Sequence, residues 1–231
     1  MFMKEVCKTG IMGLDKMLRG GLPKGSISTI SGPTGSGKST LALQFLVNGA
    51  KKYGETGLYI AIEESQELIY RNMDYTGWDI EQLERSKQLL FLDYPAHEVD
   101  QFRSQNNAIG ELVETMGITR IVIDSIMPIA LLFPDEDERK RGFLEIINSM
   151  RKWKATSLIV AEEKPSSGGN LPRTNYGIET LTDGWIHTDY RIGRGEERKR
   201  GIEVLKMKGA NPMMKRFPLE ITGSGIAVKV K

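Results

Sequence analysis

The 231-residue chain sets 32 Lys and Arg against 30 Asp and Glu, a net charge of +2, so bulk electrostatics neither demands nor excludes a nucleic-acid partner. With 39% hydrophobic and 27% charged residues it has a soluble-protein balance, and no apolar run approaches the ~20 residues that span a bilayer. The N-terminal residues lack a secretory apolar core and Cys7 has no second cysteine to pair with, which points to the cytoplasm. The length suits one large α/β domain over residues 1–231.

Residues 26–31 read as a short strand, and 40–46 open an amphipathic helix. Between them lies Gly32, Pro33, Thr34, Gly35, Ser36, Gly37, Lys38, Ser39, which fits GxxxxGK[ST] in the strand-to-helix setting that pattern requires. Glycines let such a loop turn its N–H groups inward on phosphate oxygens, and the helix N-terminus adds partial positive charge. Lys38 then reaches the β- and γ-phosphates and Ser39 holds Mg²⁺.

Strand and helix signals alternate onward through the first two thirds of the chain. Residues 57–62 form the next strand, and Ser65 is placed to cap the helix after it. A strand at 89–93 precedes a helix whose apolar stripe is Ile109, Leu112, Val113 and Met116, ended by Gly117. Residues 120–124 are a nearly all-apolar strand of the buried parallel type. A helix over 135–154 follows, with Phe143, Ile146, Ile147, Met150 and Trp153 on its core face, then a strand at 156–161. Residues 164–175, rich in Pro, Ser, Gly and Asn, predict a long loop. The runs 185–188, 201–208, 216–221 and 226–230 are too close together for crossover helices. They predict antiparallel strands that extend a mostly parallel, helix-flanked sheet.

Hydrolysis requires more than a phosphate cradle. Asp124 ends an apolar strand, where a carboxylate supports Mg²⁺ beside the phosphate loop; the plainer reading is a cap on the segment after Ser125. Glu63 and Glu64 follow the strand at 57–62, and one of them is placed to orient a water for in-line attack; alternatively they are a solvated pair favouring the next helix N-terminus. Lys206 and Lys208 alternate on the strand 204–208, opposite Leu205 and Met207, which by itself describes the polar face of an edge strand.

Thr9-Gly10-Ile11-Met12-Gly13-Leu14-Asp15, then Gly20-Gly21-Leu22-Pro23-Lys24-Gly25, then the phosphate loop, resemble the opening of KaiC-type ATPases of the RecA superfamily. The resemblance continues through Ala61-Ile62-Glu63-Glu64-Ser65, Gly77-Trp78-Asp79, Asp124, Tyr176-Gly177-Ile178-Glu179 and Val204-Leu205-Lys206-Met207-Lys208-Gly209. It implies a RecA-like P-loop NTPase core, Mg-ATP as ligand, and a homo-oligomeric ring, usually a hexamer, with nucleotide between neighbours. By the same resemblance Gly32 to Thr40 hold phosphate, Glu63 and Glu64 are the paired catalytic glutamates, and Asp124 is the Walker B acid. Lys206 and Lys208 then reach the neighbour's phosphates, and Tyr75 approaches the adenine.

The chain departs from the pattern in three places. Clock members carry two such domains and this sequence holds one, so no circadian role follows. Lys208 and Ala210 stand where many members read Arg and Thr, and Lys lacks the bidentate fork of a guanidinium. Glu179-Thr180 stands where the second clock domain carries a phosphorylated Ser-Thr pair, so the resemblance by itself does not imply autophosphorylation.

The leading expectation is a slow ATPase whose nucleotide state changes a ring and its affinity for an unidentified protein partner. A second reading is a recombination accessory protein, with residues 164–175 and 191–200 lining a channel for single-stranded DNA. A third is a nucleotide-binding scaffold resembling the archaellum accessory ATPase homologues, against which Glu63-Glu64 argues.

Overall fold

Short polar signals set the element boundaries in the computed structural model, which describes residues 5–62, 64–95, 98–164, 171–192 and 197–230, with only the backbone of Arg103. β1 (Val6–Cys7) pairs antiparallel with β2 (Leu22–Pro23), and α1 (Leu14–Met17) lies between them. β3 (Ile27–Gly32) is buried throughout and feeds α2 (Lys38–Tyr53), which Gly54 closes in a left-handed conformation. After β4 (Thr56–Ile62), Ser65 caps α3 (Gln66–Met73) by accepting from the Leu68 N–H at 3.4 Å. A 3₁₀ turn at Asp74–Thr76 leads to α4 (Ile80–Arg85), capped by Asp79.

β5 (Leu89–Tyr94), α5 (Val99–Ser104), α6 (Asn106–Thr115), β6 (Ile118–Asp124) and α7 (Met127–Leu131) follow. The expected long helix is α8 (Glu136–Trp153), with Asp135 accepting from the Glu138 N–H at 2.8 Å. β7 (Thr156–Glu162), a 3₁₀ turn (Ile178–Thr180), β8 (Gly184–Ile192), β9 (Arg198–Met207), β10 (Phe217–Thr222) and β11 (Gly225–Val228) complete the chain.

Among the described residues, nine strands form one sheet in the order β11-β10-β9-β8-β3-β7-β6-β4-β5. β8 through β5 are parallel and β9, β10 and β11 are antiparallel. One face packs on α2, α3 and α4 through Ile30, Val122, Leu41, Phe45 and Ile69. The other packs on α5 to α8 through Ile60, Ile121, Ile159, Phe143 and Ile146. This α/β fold, parallel in its centre and flanked by helices, is the one expected. The stripes on α6 and α8 are core, as their 3.6-residue period implied.

Two local expectations need correction. The run beginning at Trp185 is not an antiparallel edge strand on both sides: β8 pairs parallel with β3, from Ser28 opposite Gly184 to Ser31 opposite His187. The connection from β7 is long enough to carry the chain back to the starting edge of the sheet, which a tight hairpin cannot do. The strand expected to reach Lys208 stops at Met207, with Lys208 in the following turn. A bulge pairs Trp185 with Lys206 but Ile186 with Val204, so Leu205 is the extra residue and the strict alternation fails.

Candidate functional site

Parallel strands bring their C-terminal ends to one edge, and the phosphate-loop residues sit there. Gly32 ends β3 with φ of +154°, and a Cβ on it would strike Thr188 and the Ser36 Oγ. Gly37, with φ of +102°, directly precedes α2, whose first N–H groups have no partner within the helix. The loop is anchored from the next two strands, β8 and β9. The Ser36 and Thr188 hydroxyls are 2.7 Å apart, the Tyr190 hydroxyl donates to the Gly35 carbonyl, and the Arg200 Nε donates to the same carbonyl at 3.2 Å.

Lys38 folds over this loop, its Nζ donating to the carbonyls of Gly32 at 2.9 Å and Pro33 at 3.2 Å. Burial pushes its ammonium below the ordinary lysine value, against the pull of Asp124, Glu162 and Glu163. Asp124, at the end of β6, accepts from the Tyr59 hydroxyl at 2.7 Å, and the Ser39 hydroxyl is close enough to favour its charged form. Burial raises the Asp124 carboxyl, while Tyr59, Ser39 and Lys38 oppose that. Burial, with Asp124 beside it, holds the Tyr59 hydroxyl protonated well above the usual phenol range. Asp124 therefore lies beside the phosphate-loop residues, and the helix after it has no side-chain cap among the described residues.

Glu64 is exposed just beyond β4, close enough for its charge to act on Tyr59; Glu63 lies outside the described residues. The loop, an ammonium, a hydroxyl and a buried carboxylate thus share one rim. All are hard oxygen or nitrogen groups suited to a phosphate tail and a hard divalent cation.

Residues 7–231 match the family described as ATPase: KaiC. The chain belongs to this family. The KaiC-like protein PH0186 of Pyrococcus horikoshii OT3 has the same fold, with a TM-score of 0.86 at 32% identity over 99% of this chain and all of that one. A UPF0273 protein of Pyrococcus furiosus is 31% identical over 96% of this chain and 92% of its own length. The circadian clock oscillator protein KaiC of Parathermosynechococcus lividus is 31% identical over 96% of this chain but only 42% of its own length. The chain therefore spans less than half the length of that clock protein.

In this KaiC-family chain Lys206 and Lys208 lie away from the phosphate loop. Trp185 pairs with both Thr29 and Lys206, which sets Lys206 back from Gly32 by three residues, about 10 Å along the strands, and sideways by two strands. Its Nζ donates to the carbonyls of Glu179 at 3.0 Å, Thr180 at 3.3 Å and Thr182 at 2.6 Å. Lys208 is 3.8 Å from Asp183. Tyr75 is 51% exposed in its 3₁₀ turn, near the tip of the β10–β11 hairpin at Gly223. That hairpin in turn covers the start of α2, since a Cβ on Gly37 would press on Ile221 and Ile226.

In the two loop regions read as DNA-facing, residues 165–170 and 193–196 lie outside the described residues. Arg198 and Arg200 hold their guanidinium groups over the Tyr190 ring, at 5.9 and 5.2 Å.

Sequence reasoning missed Tyr59, Thr188, the loop contact of Tyr190 and the Glu163–His187 pair, joined at 2.8 Å between the residue after β7 and the middle of β8. Each reaches the site across strands far apart in the chain, so no local spacing announces it. The one available signal was a tyrosine in the otherwise apolar run 57–62.

Among the described residues, no helix is long and apolar enough to cross a membrane.

Proposed function

We propose that the chain acts as a single Mg-dependent ATPase domain that turns over slowly in a cytoplasmic homo-hexameric ring, and that its nucleotide state switches affinity for a protein partner. The observation that carries this reading is the meeting of Lys38, Ser39 and Asp124 at the end of a glycine-lined loop. The phosphate tail of ATP is taken by the N–H groups of Gly35 to Thr40, and Lys38 exchanges its two loop carbonyls for β- and γ-phosphate oxygens. Ser39 and Asp124 would hold Mg²⁺, which when bound neutralises charge on the phosphates. Glu64, with Glu63 before it, orients the attacking water from the end of β4. Tyr75 offers its exposed ring to the adenine.

Lys206 and Lys208 serve a neighbouring subunit's phosphates, a reading supported by their distance from the loop of their own chain. The Lys206 brace on residues 179–182 then links that neighbour's site to the turn before β8.

Solution mass measured with and without Mg-ATP, alongside phosphate release, tests the proposal. A hexamer with slow, Mg-dependent release is expected. A monomer that releases no phosphate would overturn it, and salt-sensitive binding of single-stranded DNA would move the chain to the recombination reading.

A further inference from the structure

The run 57–62 is apolar except for one hydroxyl, and that hydroxyl is buried: Tyr59 is 1% exposed. Burying a phenol oxygen is unfavourable unless it is hydrogen-bonded, and a phenylalanine would fill the same space without that cost. The ring is held in place by Phe91, 5.3 Å away between centroids and tilted by 31°, which in turn meets Tyr70 edge-on at 5.2 Å. β4 and β6 are adjacent and parallel, with Tyr59 opposite Val122 and Ala61 opposite Asp124. Tyr59 therefore stands two residues back from the level of Asp124 and on the face that Asp124 shares. Its hydroxyl reaches forward to Asp124 Oδ2 at 2.7 Å.

A carboxylate on a strand end can rotate about its last bond, and a metal site gains when an outer partner removes that freedom. A fixed donor on Oδ2 occupies one of the carboxylate's lone-pair positions and leaves the others free for a cation shared with Ser39.

We propose that Tyr59 is a positioning residue for the metal-binding carboxylate, holding Asp124 in the orientation that receives Mg²⁺ beside Ser39. This rests on the reading of Ser39 and Asp124 as the Mg²⁺ ligands. Tyr59 acts through Asp124 and touches neither nucleotide nor metal.

The test is calorimetric titration of Mg²⁺ into ADP fully bound by the full chain, with protein in excess over nucleotide, for the wild type, Tyr59→Phe, Asp124→Asn and the double variant. Cooperative melting confirms that each is folded, and ADP affinity is measured separately in the absence of metal. Tyr59→Phe is expected to weaken Mg²⁺ binding about tenfold while metal-free ADP affinity stays within about twofold of wild type. In the Asp124→Asn background the same substitution should add nothing.

Unchanged Mg²⁺ affinity in folded Tyr59→Phe overturns the proposal, and so does an equal loss in the Asp124→Asn background. If Asp124→Asn itself leaves Mg²⁺ binding intact, the assignment of the metal ligands fails first and the proposal falls with it.

Discussion

At the edge where β3, β4 and β6 end, Lys38, Ser39 and Asp124 lean on one another and on loop carbonyls, whereas at the edge where those strands begin, the charged groups are locked into the framework. Arg120, fully buried near the start of β6, pairs with Glu55 and donates to the carbonyls of Phe45 and Lys8, each at 2.8 Å. Asp183 binds Arg151 at 2.9 Å and the Ile27 N–H at 3.1 Å. β6 therefore carries a framework cation near one end and, at the other, the carboxylate beside the phosphate loop. β9 makes the same contrast in reverse: near its start Arg200 lies beside Gly35 and, being antiparallel, the strand delivers Lys206 towards the far edge. Strand direction thus decides which polar residues can meet substrate in their own chain and which must brace the fold or serve a neighbour.

Substitutions at the two edges should separate stability from chemistry. The largest effect is expected for Arg120→Ala, which strands Glu55 and two carbonyls and opens a cavity beside Gly49. Chemical denaturation should show a loss of about 3–5 kcal/mol, with ATP affinity of the folded fraction unchanged. A cost near zero would break the division between edges.

Lys206→Ala should lower turnover by ~10²-fold with the oligomer intact. Mixed rings that combine it with Glu64→Gln subunits should recover activity, because each defect lies on a different side of a shared site. Failure to complement would return Lys206 to a purely bracing role. Glu64→Gln is expected to keep ATP binding and slow phosphate release by about tenfold. An unchanged rate would remove Glu64 from the reacting edge.

The phosphate loop and Asp124 were legible because each is announced locally, by a spacing between strand and helix or by a carboxylate ending an apolar run. Long helices were legible through their stripes, but α1, α4, α5 and α7, of four to six residues, are too short to show a period. Lys206 was legible as a residue and not as a position, since the bulge opposite Trp185 is set by pairing. Tyr59, Arg120 and Gln44 carry the tertiary part of the argument. Gln44 accepts from the Ile226 N–H at 2.6 Å and donates to its carbonyl at 3.3 Å, tying α2 to β11 across most of the chain. In sequence each of these is one polar residue among apolar neighbours, and only the sheet order reveals its partner.

Calorimetry of ATP binding in the presence and absence of Mg²⁺, for the wild-type chain and Lys38→Ala, tests the account most directly. The arrangement of Lys38, Ser39 and Asp124 predicts Mg²⁺-dependent binding that Lys38→Ala weakens by ~10²-fold without loss of fold. Wild-type protein that binds ATP no better than the variant, or equally well without the metal, would contradict it.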